Sequence, residues 1–373
     1  MKIGIDARFY GTASKGLGRY VSELIAELEK IDDRNEYVVF LRSDNFDQYD
    51  PAAPNFRKVR AEYRWYSLRE QILFPLFLRR FRLDLMHFTH FNVPLLYRRP
   101  FLVTVHDLIL LRYPTVRATT LNPLLYRLKF LAYRLTIGSA LNRARTILTV
   151  SDSTRDDIRK TFPKTNQKTV VVTHCACSDR LASGDRTEKK KSSPQERPYA
   201  LYVGSAYPHK NLETLIRAFD LFRKRGHEDY GLTLVGGEDY FYCRLKEETV
   251  ARGLDENVTF FGWASDEQLA DLYRNASFYA FPSLYEGFGI PPLEAMANGV
   301  PVISSDRSCL PEILGQAAMF FDPEDADAIA AAMGRIADDE GLRRRLIESG
   351  RIQFARFSWR DTAVKTLEAY QRS

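Results

Sequence analysis

The feature that most limits the fold of this chain is a repeated alternation of short apolar, β-branched runs with longer amphipathic stretches. In the first half the runs are Lys2–Ile5, Tyr37–Leu41, Leu85–His87, Leu102–Val105, Thr146–Val150 and Val170–Val172. Helical spacing separates several of them; in Arg19–Ile31 the residues Tyr20, Leu24, Ile25 and Leu28 fall on one helical face. Such alternation predicts a parallel sheet covered on both faces by helices. The pattern breaks at Ser183–Gln195, which is polar, charged and nearly free of apolar residues, as a linker or exposed loop would be. It then resumes with Tyr199–Val203, Leu232–Val235, Val258–Phe261, Phe278–Phe281, Val302–Ser304 and Met319–Phe321. A chain of 373 residues also exceeds the size at which a single core stops growing. The expected fold is therefore α/β, with two Rossmann-like, doubly wound parallel-sheet domains facing across a cleft. Their expected bounds are 1–182 and 199–355, joined by a linker at 183–198. A terminal helix within 356–373 follows, with Ser358 as its cap.

Composition narrows the function classes. The net charge of +6 favours anionic partners such as nucleotide phosphates, lipid diphosphates or an anionic membrane surface. Nucleic acid is not expected, because no helix-turn-helix, finger or RNP pattern accompanies the charge. No apolar run is long enough to span a bilayer, and Asp6 falls too early for a secretory signal, so a cytoplasmic protein is expected. The four cysteines, Cys175, Cys177, Cys243 and Cys309, do not make a disulfide scaffold. His174-Cys175-Ala176-Cys177 has no usual zinc spacing and no second cluster, so no metal is expected.

In open α/β sheets, ligands bind outside the carboxyl ends of the strands, so the loops after strands carry the candidates. The most informative is Glu286-Gly287-Phe288-Gly289-Ile290-Pro291-Pro292-Leu293-Glu294, which follows the Phe278–Phe281 run and enters an expected helix over Pro291–Asn298. Glycines at such a turn let backbone amides approach a phosphate, with a helix N-terminus behind them. The flanking carboxylates accept from hydroxyl groups, and together these features suit a nucleotide sugar. Gly16 and Gly18, before the expected helix from Arg19, form a weaker glycine-loop signal that a tight turn explains equally well. His106, at the end of Leu102–Val105, is a candidate for a sugar hydroxyl or else a structural histidine; His87 and His90 are weaker candidates. After Tyr199–Val203 come Gly204, His209 and Lys210. Lys210 at a helix start can neutralise a diphosphate, or serve only as a surface lysine in a capping turn. Gly236-Gly237 and Trp263 end two further strands, and Trp263 could stack on a base or pack in the core.

The stretch Phe281–Val302, together with Gly16-Leu17-Gly18-Arg19-Tyr20, Val105-His106-Asp107, Tyr202-Val203-Gly204 and Lys210-Asn211, resembles the retaining glycosyltransferases of family GT4, over nearly the whole chain. The resemblance implies the two-domain GT-B fold, no metal or other cofactor, and a nucleotide-diphosphate sugar as donor, GDP-mannose ahead of a UDP-sugar. It implies that Glu294 holds the ribose and Glu286 the donor sugar. Gly287, Phe288, Gly289 and Ile290 would line the sugar and diphosphate, with Lys210 and Gly204 beside them. His106 would face the sugar, Gly16 and Gly18 would form the glycine loop, and the terminal helix would cross back onto the N-domain. Many relatives carry Arg-Lys-Asn where this chain has His209-Lys210-Asn211, so a second permanent cation is missing from the pattern. The implied reaction is hexosyl transfer to a glycan or polyprenyl-diphosphate-linked sugar in surface-polysaccharide synthesis, by front-face displacement.

Trp65–Arg82 and Leu121–Arg145 mix leucines with arginines, which suits either peripheral contact with the inner face of a membrane or core-facing helices with solvated arginines. Competing functions are a nucleotide-sugar epimerase, a non-catalytic nucleotide-sugar-binding protein and, more remotely, a Rossmann oxidoreductase.

Overall fold

A computed structural model describes residues 1–11, 15–114, 122–176 and 197–373. The chain divides into two compact units, Met1–Cys175 with Ser358–Ser373, and Ala176–Phe357. The expected linker lies outside the described residues except for Arg197 and Pro198, as does Cys177.

The first unit holds β1 (Lys2–Asp6), α1 (Lys15–Ile31), β2 (Glu36–Leu41), β3 (Phe56–Arg60), α2 (Leu68–Arg79), β4 (Leu85–Phe88), β5 (Phe101–Val105), α3 (Ile109–Arg112), α4 (Pro123–Arg143), β6 (Thr146–Thr149), α5 (Asp152–Thr161) and β7 (Thr169–Val172). Its seven strands are parallel, in the order β3-β2-β1-β4-β5-β6-β7. The central strands are mainly apolar, as burial on both faces demands; all five residues of β5 are buried, Thr104 among them. Strand β3, Phe56-Arg57-Lys58-Val59-Arg60, has no counterpart among the expected runs, because it is an edge strand whose charges face solvent.

The second unit holds β8 (Tyr199–Val203), α6 (Leu212–Lys224), β9 (Gly231–Val235), α7 (Tyr240–Ala251), β10 (Val258–Gly262), α8 (Asp266–Asn275), β11 (Phe278–Phe281), α9 (Ile290–Ala297), β12 (Val302–Ser305), α10 (Leu310–Leu314), β13 (Ala318–Phe321), α11 (Ala326–Asp338) and α12 (Glu340–Phe354). Its six strands are parallel, in the order β10-β9-β8-β11-β12-β13. This is the doubly wound order that places a crevice at the switch between its first and fourth strands, here β8 and β11.

The terminal helix α13 (Trp359–Gln371) belongs to the first unit. The Ser358 hydroxyl accepts from the Asp361 amide at 3.0 Å, which is the N-cap read from the sequence. The helix is tied in by buried polar contacts. Tyr370 Oη lies 2.7 Å from His87 Nδ1, while His87 Nε2 lies 2.8 Å from Thr104 Oγ1. The Trp359 ring meets Tyr20 edge-on at 5.9 Å.

Two expectations about helices change. Helix α1 begins at Lys15 rather than Arg19, so Gly16 and Gly18 lie in its first turn and not in a loop ahead of it. The two glycines are also unequal. A Cβ at Gly18 would stand 1.9 Å from the Gly11 carbonyl oxygen, so close backbone packing requires glycine there; a Cβ at Gly16 would meet nothing within 4 Å. Core-facing packing does not hold for four described leucines of α4 either. Leu125, Leu128, Leu131 and Leu135 are 44–60% exposed, while Ile137, Ala140 and Leu141 are buried. Helix α4 therefore has two apolar faces, one turned outward and flanked by exposed Arg127, Lys129 and Arg134. Leu121 lies outside the described residues.

Candidate active site

The second unit gathers most of the candidate residues at the β8/β11 switch. After β8, Gly204 turns with φ near +153° and its amide donates to the Val235 carbonyl at 2.9 Å. The chain then makes a short 3-10 turn over Pro208–Lys210 that ends on Asn211 in the left-handed region, φ +61°. Asn211 Nδ2 donates to the carbonyls of Pro282 at 3.1 Å and Pro323 at 2.7 Å. The Leu284 amide donates to the His209 carbonyl at 2.8 Å. The turn after β8 is thus bonded to the loop after β11.

That bonding brings two residues 76 positions apart into direct contact: Lys210 Nζ donates to Glu286 Oε1 at 2.6 Å. The side chains are 17% and 10% exposed, so the pair is largely withdrawn from water yet reachable. A partly desolvated ion pair at a sheet's switch point can offer a cation to an anionic ligand and a carboxylate to its hydroxyls. His209 adds no charge. Burial, and then the neighbouring Lys210, push its imidazole down to about 4, so it is neutral near pH 7. The second cation missing from the sequence pattern is therefore not supplied by His209.

Glu286 opens a buried loop, Glu286–Gly289, which leads into α9. Gly289 has φ +92°, and a Cβ there would meet Leu310 Cδ2 at 2.9 Å, so both backbone and packing demand glycine. Helix α9 starts at Ile290, one residue before expectation, and carries Pro291 and Pro292 at its start. Prolines lack N–H groups, so amide donors at this turn come from Gly287, Phe288, Gly289 and Ile290 rather than from the following residues. Phe288 is buried, with its ring edge-on to Phe357 at 5.4 Å. Glu294, on α9, is buried and accepts from Tyr273 Oη at 3.0 Å through Oε2. Tyr273 on α8, wholly buried, is thus a partner of Glu294 that the sequence reading did not name; nothing in the local sequence links residues 21 positions apart.

His106, Gly16 and Gly18 belong to the first unit. His106 Nε2 lies 2.9 Å from the Thr89 carbonyl. A carbonyl only accepts, so Nε2 carries the proton and Nδ1 keeps its lone pair. Burial drives this imidazole down to about 4, so it is a neutral hydrogen-bond acceptor near pH 7. Tyr20 packs edge-on against it at 4.6 Å. His87 and His90 are likewise pushed down to about 3, by burial first and then by the proximity of His106. His87 is bound to Thr104 and Tyr370 and is structural. Trp263 is 77% exposed, not a core residue.

At the β1/β4 switch of the first sheet, Arg8 is buried between two acids. It donates to both Asp6 carboxylate oxygens, at 2.8 and 2.7 Å, and lies 2.8 Å from Glu70. Neither Arg8 nor Glu70 stood out in the sequence, because both look like ordinary surface charges there.

Two doubly wound parallel-sheet units, with an ion-paired lysine and glutamate and a glycine turn at the switch point of the second, define a GT-B glycosyltransferase. Residues 14–177 match the family described as Glycosyltransferase Family 4, and residues 184–353 match Glycosyl transferases group 1. The O-antigen chain mannosyltransferase B of Escherichia coli is 30% identical, over 95% of this chain and 96% of that protein. The MMP alpha-(1->4)-mannosyltransferase of Mycolicibacterium hassiacum is 31% identical over 61% of this chain and 54% of its own length. Among solved structures, a sucrose-phosphate synthase from Thermosynechococcus elongatus superposes with a TM-score of 0.78 at 22% identity, covering 100% of this chain and 98% of that one. WaaG, a glycosyltransferase involved in lipopolysaccharide biosynthesis, gives 0.75 at 15% identity, with 99% of each chain covered. The chain belongs to glycosyltransferase family 4.

Proposed function

We propose that this enzyme transfers a mannosyl group, with retention, from GDP-mannose to a glycan or polyprenyl-diphosphate-linked sugar in surface-polysaccharide synthesis. The observation that carries the proposal is the Lys210–Glu286 pair at the β8/β11 switch. Donor and product are favoured by the mannosyltransferase relatives; HepE from Anabaena, a structural neighbour with a TM-score of 0.74, was solved with UDP and glucose, which keeps a UDP-sugar as the second choice.

In this reading Glu294, oriented by Tyr273, accepts from the ribose hydroxyls. Lys210 exchanges its bond to Glu286 for the donor diphosphate, and the freed Glu286 carboxylate accepts from the sugar. The amides of Gly287–Ile290 and the turn at Gly204 lie against sugar and diphosphate. The C1–O bond to the diphosphate breaks as C1 bonds to the acceptor oxygen on the same face, and the acceptor proton passes to the departing phosphate oxygen. Lys210 stabilises the charge that develops there, so catalysis is positioning and electrostatics, with no metal assigned to it. The role of His106 rests on the family resemblance: its Nδ1 lone pair would accept from a donor-sugar hydroxyl. Gly16 and Gly18, in the first turn of α1, are proposed as donor-contacting residues on the family resemblance alone.

The outward leucine face of α4, flanked by Arg127, Lys129 and Arg134, supports peripheral contact with an anionic membrane, where a lipid-linked acceptor would reside. No helix among the described residues is long and apolar enough to cross one. A thermal-shift screen with GDP-, UDP-, ADP- and dTDP-sugars tests the donor: at a hundred times its Kd the true donor adds about 2.7 kcal/mol, and the others add little. A larger shift with a UDP-sugar than with GDP-mannose would overturn the donor assignment.

A further inference from the structure

Glu286 stands in a loop with no regular secondary structure that is nevertheless buried over nearly all of Pro282–Gly289. Backbone groups withdrawn from water in such a loop need partners from elsewhere. At Glu286 one hydroxyl serves both the amide and the carbonyl, and a thiol adds a second donor to the carbonyl. Ser308 Oγ accepts from the Glu286 amide at 2.9 Å and donates to the Glu286 carbonyl at 3.0 Å. Cys309 Sγ lies 3.3 Å from the same carbonyl oxygen. Both residues sit after β12, the strand paired with β11. The loop after one strand therefore braces the loop after its neighbour.

The geometry at Ser308 is unusual for its residue type. Its φ is +51°, in the left-handed region where glycine, asparagine and aspartate dominate. Glycine would fit this backbone more easily, but it would bring no hydroxyl. A serine held here is accounted for by the two bonds its Oγ makes. Fixing both the N–H and the C=O of one residue fixes the direction of its Cα–Cβ bond. The side chain so directed is the carboxylate that meets Lys210 at 2.6 Å.

We propose that Ser308 is a positioning residue for the transfer reaction, holding Glu286 at the orientation in which its carboxylate engages the donor sugar. The inference rests on the role given to Glu286 above. Because Ser308 acts through Glu286, its removal should slow turnover without weakening nucleotide binding, which depends on Glu294 and Lys210.

The test compares Ser308→Gly and Ser308→Ala with the parent enzyme, each alone and combined with Glu286→Ala. Transfer from the donor found in the thermal screen is measured alongside calorimetric binding of the free nucleoside diphosphate. Glycine suits the left-handed backbone and guards against misfolding; alanine keeps the Cβ and loses only the oxygen. Both variants are expected to lower kcat roughly ten- to a hundredfold, the scale of a small misplacement of a catalytic group, with nucleotide Kd unchanged or tightened as Lys210 is released from Glu286. In the Glu286→Ala background, either substitution should add less than twofold. A kcat within twofold of the parent in both single variants would overturn the proposal. So would a loss of the same size in the Glu286→Ala background, since that effect would not pass through Glu286. If Glu286→Ala alone leaves transfer intact, the reading of the site fails instead; if Glu286→Ala slows transfer and the Ser308 variants do not, only the positioning claim fails.

Discussion

Replacing Glu286 with glutamine should weaken catalysis while strengthening nucleotide binding. Lys210 Nζ is 2.6 Å from Glu286 Oε1, with both side chains more than four-fifths buried. A diphosphate must draw Lys210 away from that carboxylate and must also approach a negative charge. Much of the gross attraction in a withdrawn ion pair is offset by desolvation, leaving a net value of roughly 1–2 kcal/mol. Glutamine keeps the shape and a neutral acceptor but removes the competing charge. Free GDP should therefore bind about five- to thirtyfold more tightly to Glu286→Gln, since about 1.4 kcal/mol is tenfold. Turnover should fall about a hundredfold, because the carboxylate contact to the sugar is lost in the transition state. Lys210→Ala should do the reverse at the binding step, weakening GDP by roughly ten- to a hundredfold through loss of a charge-assisted contact. Calorimetry with GDP and steady-state transfer kinetics on the three proteins provide the comparison. If Glu286→Gln loses nucleotide affinity in step with turnover, Glu286 binds the nucleotide itself and the exchange of partners by Lys210 is wrong.

Glu294→Ala should raise the nucleotide Kd about ten- to a hundredfold with little change in kcat at saturating donor; an equal loss in kcat would remove its assignment to the ribose. Gly18→Ala should cost about 1–3 kcal/mol or more in denaturant unfolding because its Cβ would meet the Gly11 carbonyl, whereas Gly16→Ala should be neutral or slightly stabilising; equal effects would contradict the packing described. Acid should destabilise the first unit. His87 is wholly buried and its imidazole is pushed down to about 3 in the folded state, so the contribution is intact above pH 6.5 and is lost as the unfolded chain takes up protons below it. At pH 5 this group alone lowers stability by about 2 kcal/mol relative to pH 7, and a urea midpoint that does not fall between those values would refute it. Leu131→Asp with Leu135→Asp should abolish sedimentation with phosphatidylglycerol vesicles while leaving the fold intact, since both leucines are more than half exposed; undiminished binding would remove α4 from the membrane contact.

The sheet architecture was largely legible because parallel strands buried on both faces read as short, mainly apolar, β-branched runs, as in β5 and β9. Strand β3 escaped because an edge strand carries the charges that mark loops elsewhere. The start of α1 escaped because two glycines in its first turn weaken the helical signal, even though one of them is there for packing. The glycine turn at Glu286–Glu294 and the Lys210 turn were visible as separate local patterns. Their joining was not, because it depends on strand order: β8 and β11 are neighbours in the sheet but lie some 75 residues apart in sequence. Tyr273 and Ser308 were invisible for the same reason. Each acts on a glutamate more than twenty positions away, through a contact that only the folded unit creates.

The measurement that bears most directly on the enzyme's function is release of free GDP from GDP-mannose with and without a mannosyl-lipid acceptor, alongside NMR of the product's anomeric centre. We expect release that depends on acceptor, a product with the α configuration of the donor, and a loss of about a hundredfold in Glu286→Gln. Acceptor-independent conversion of the sugar, an inverted product, or full activity in Glu286→Gln would contradict the proposed reaction.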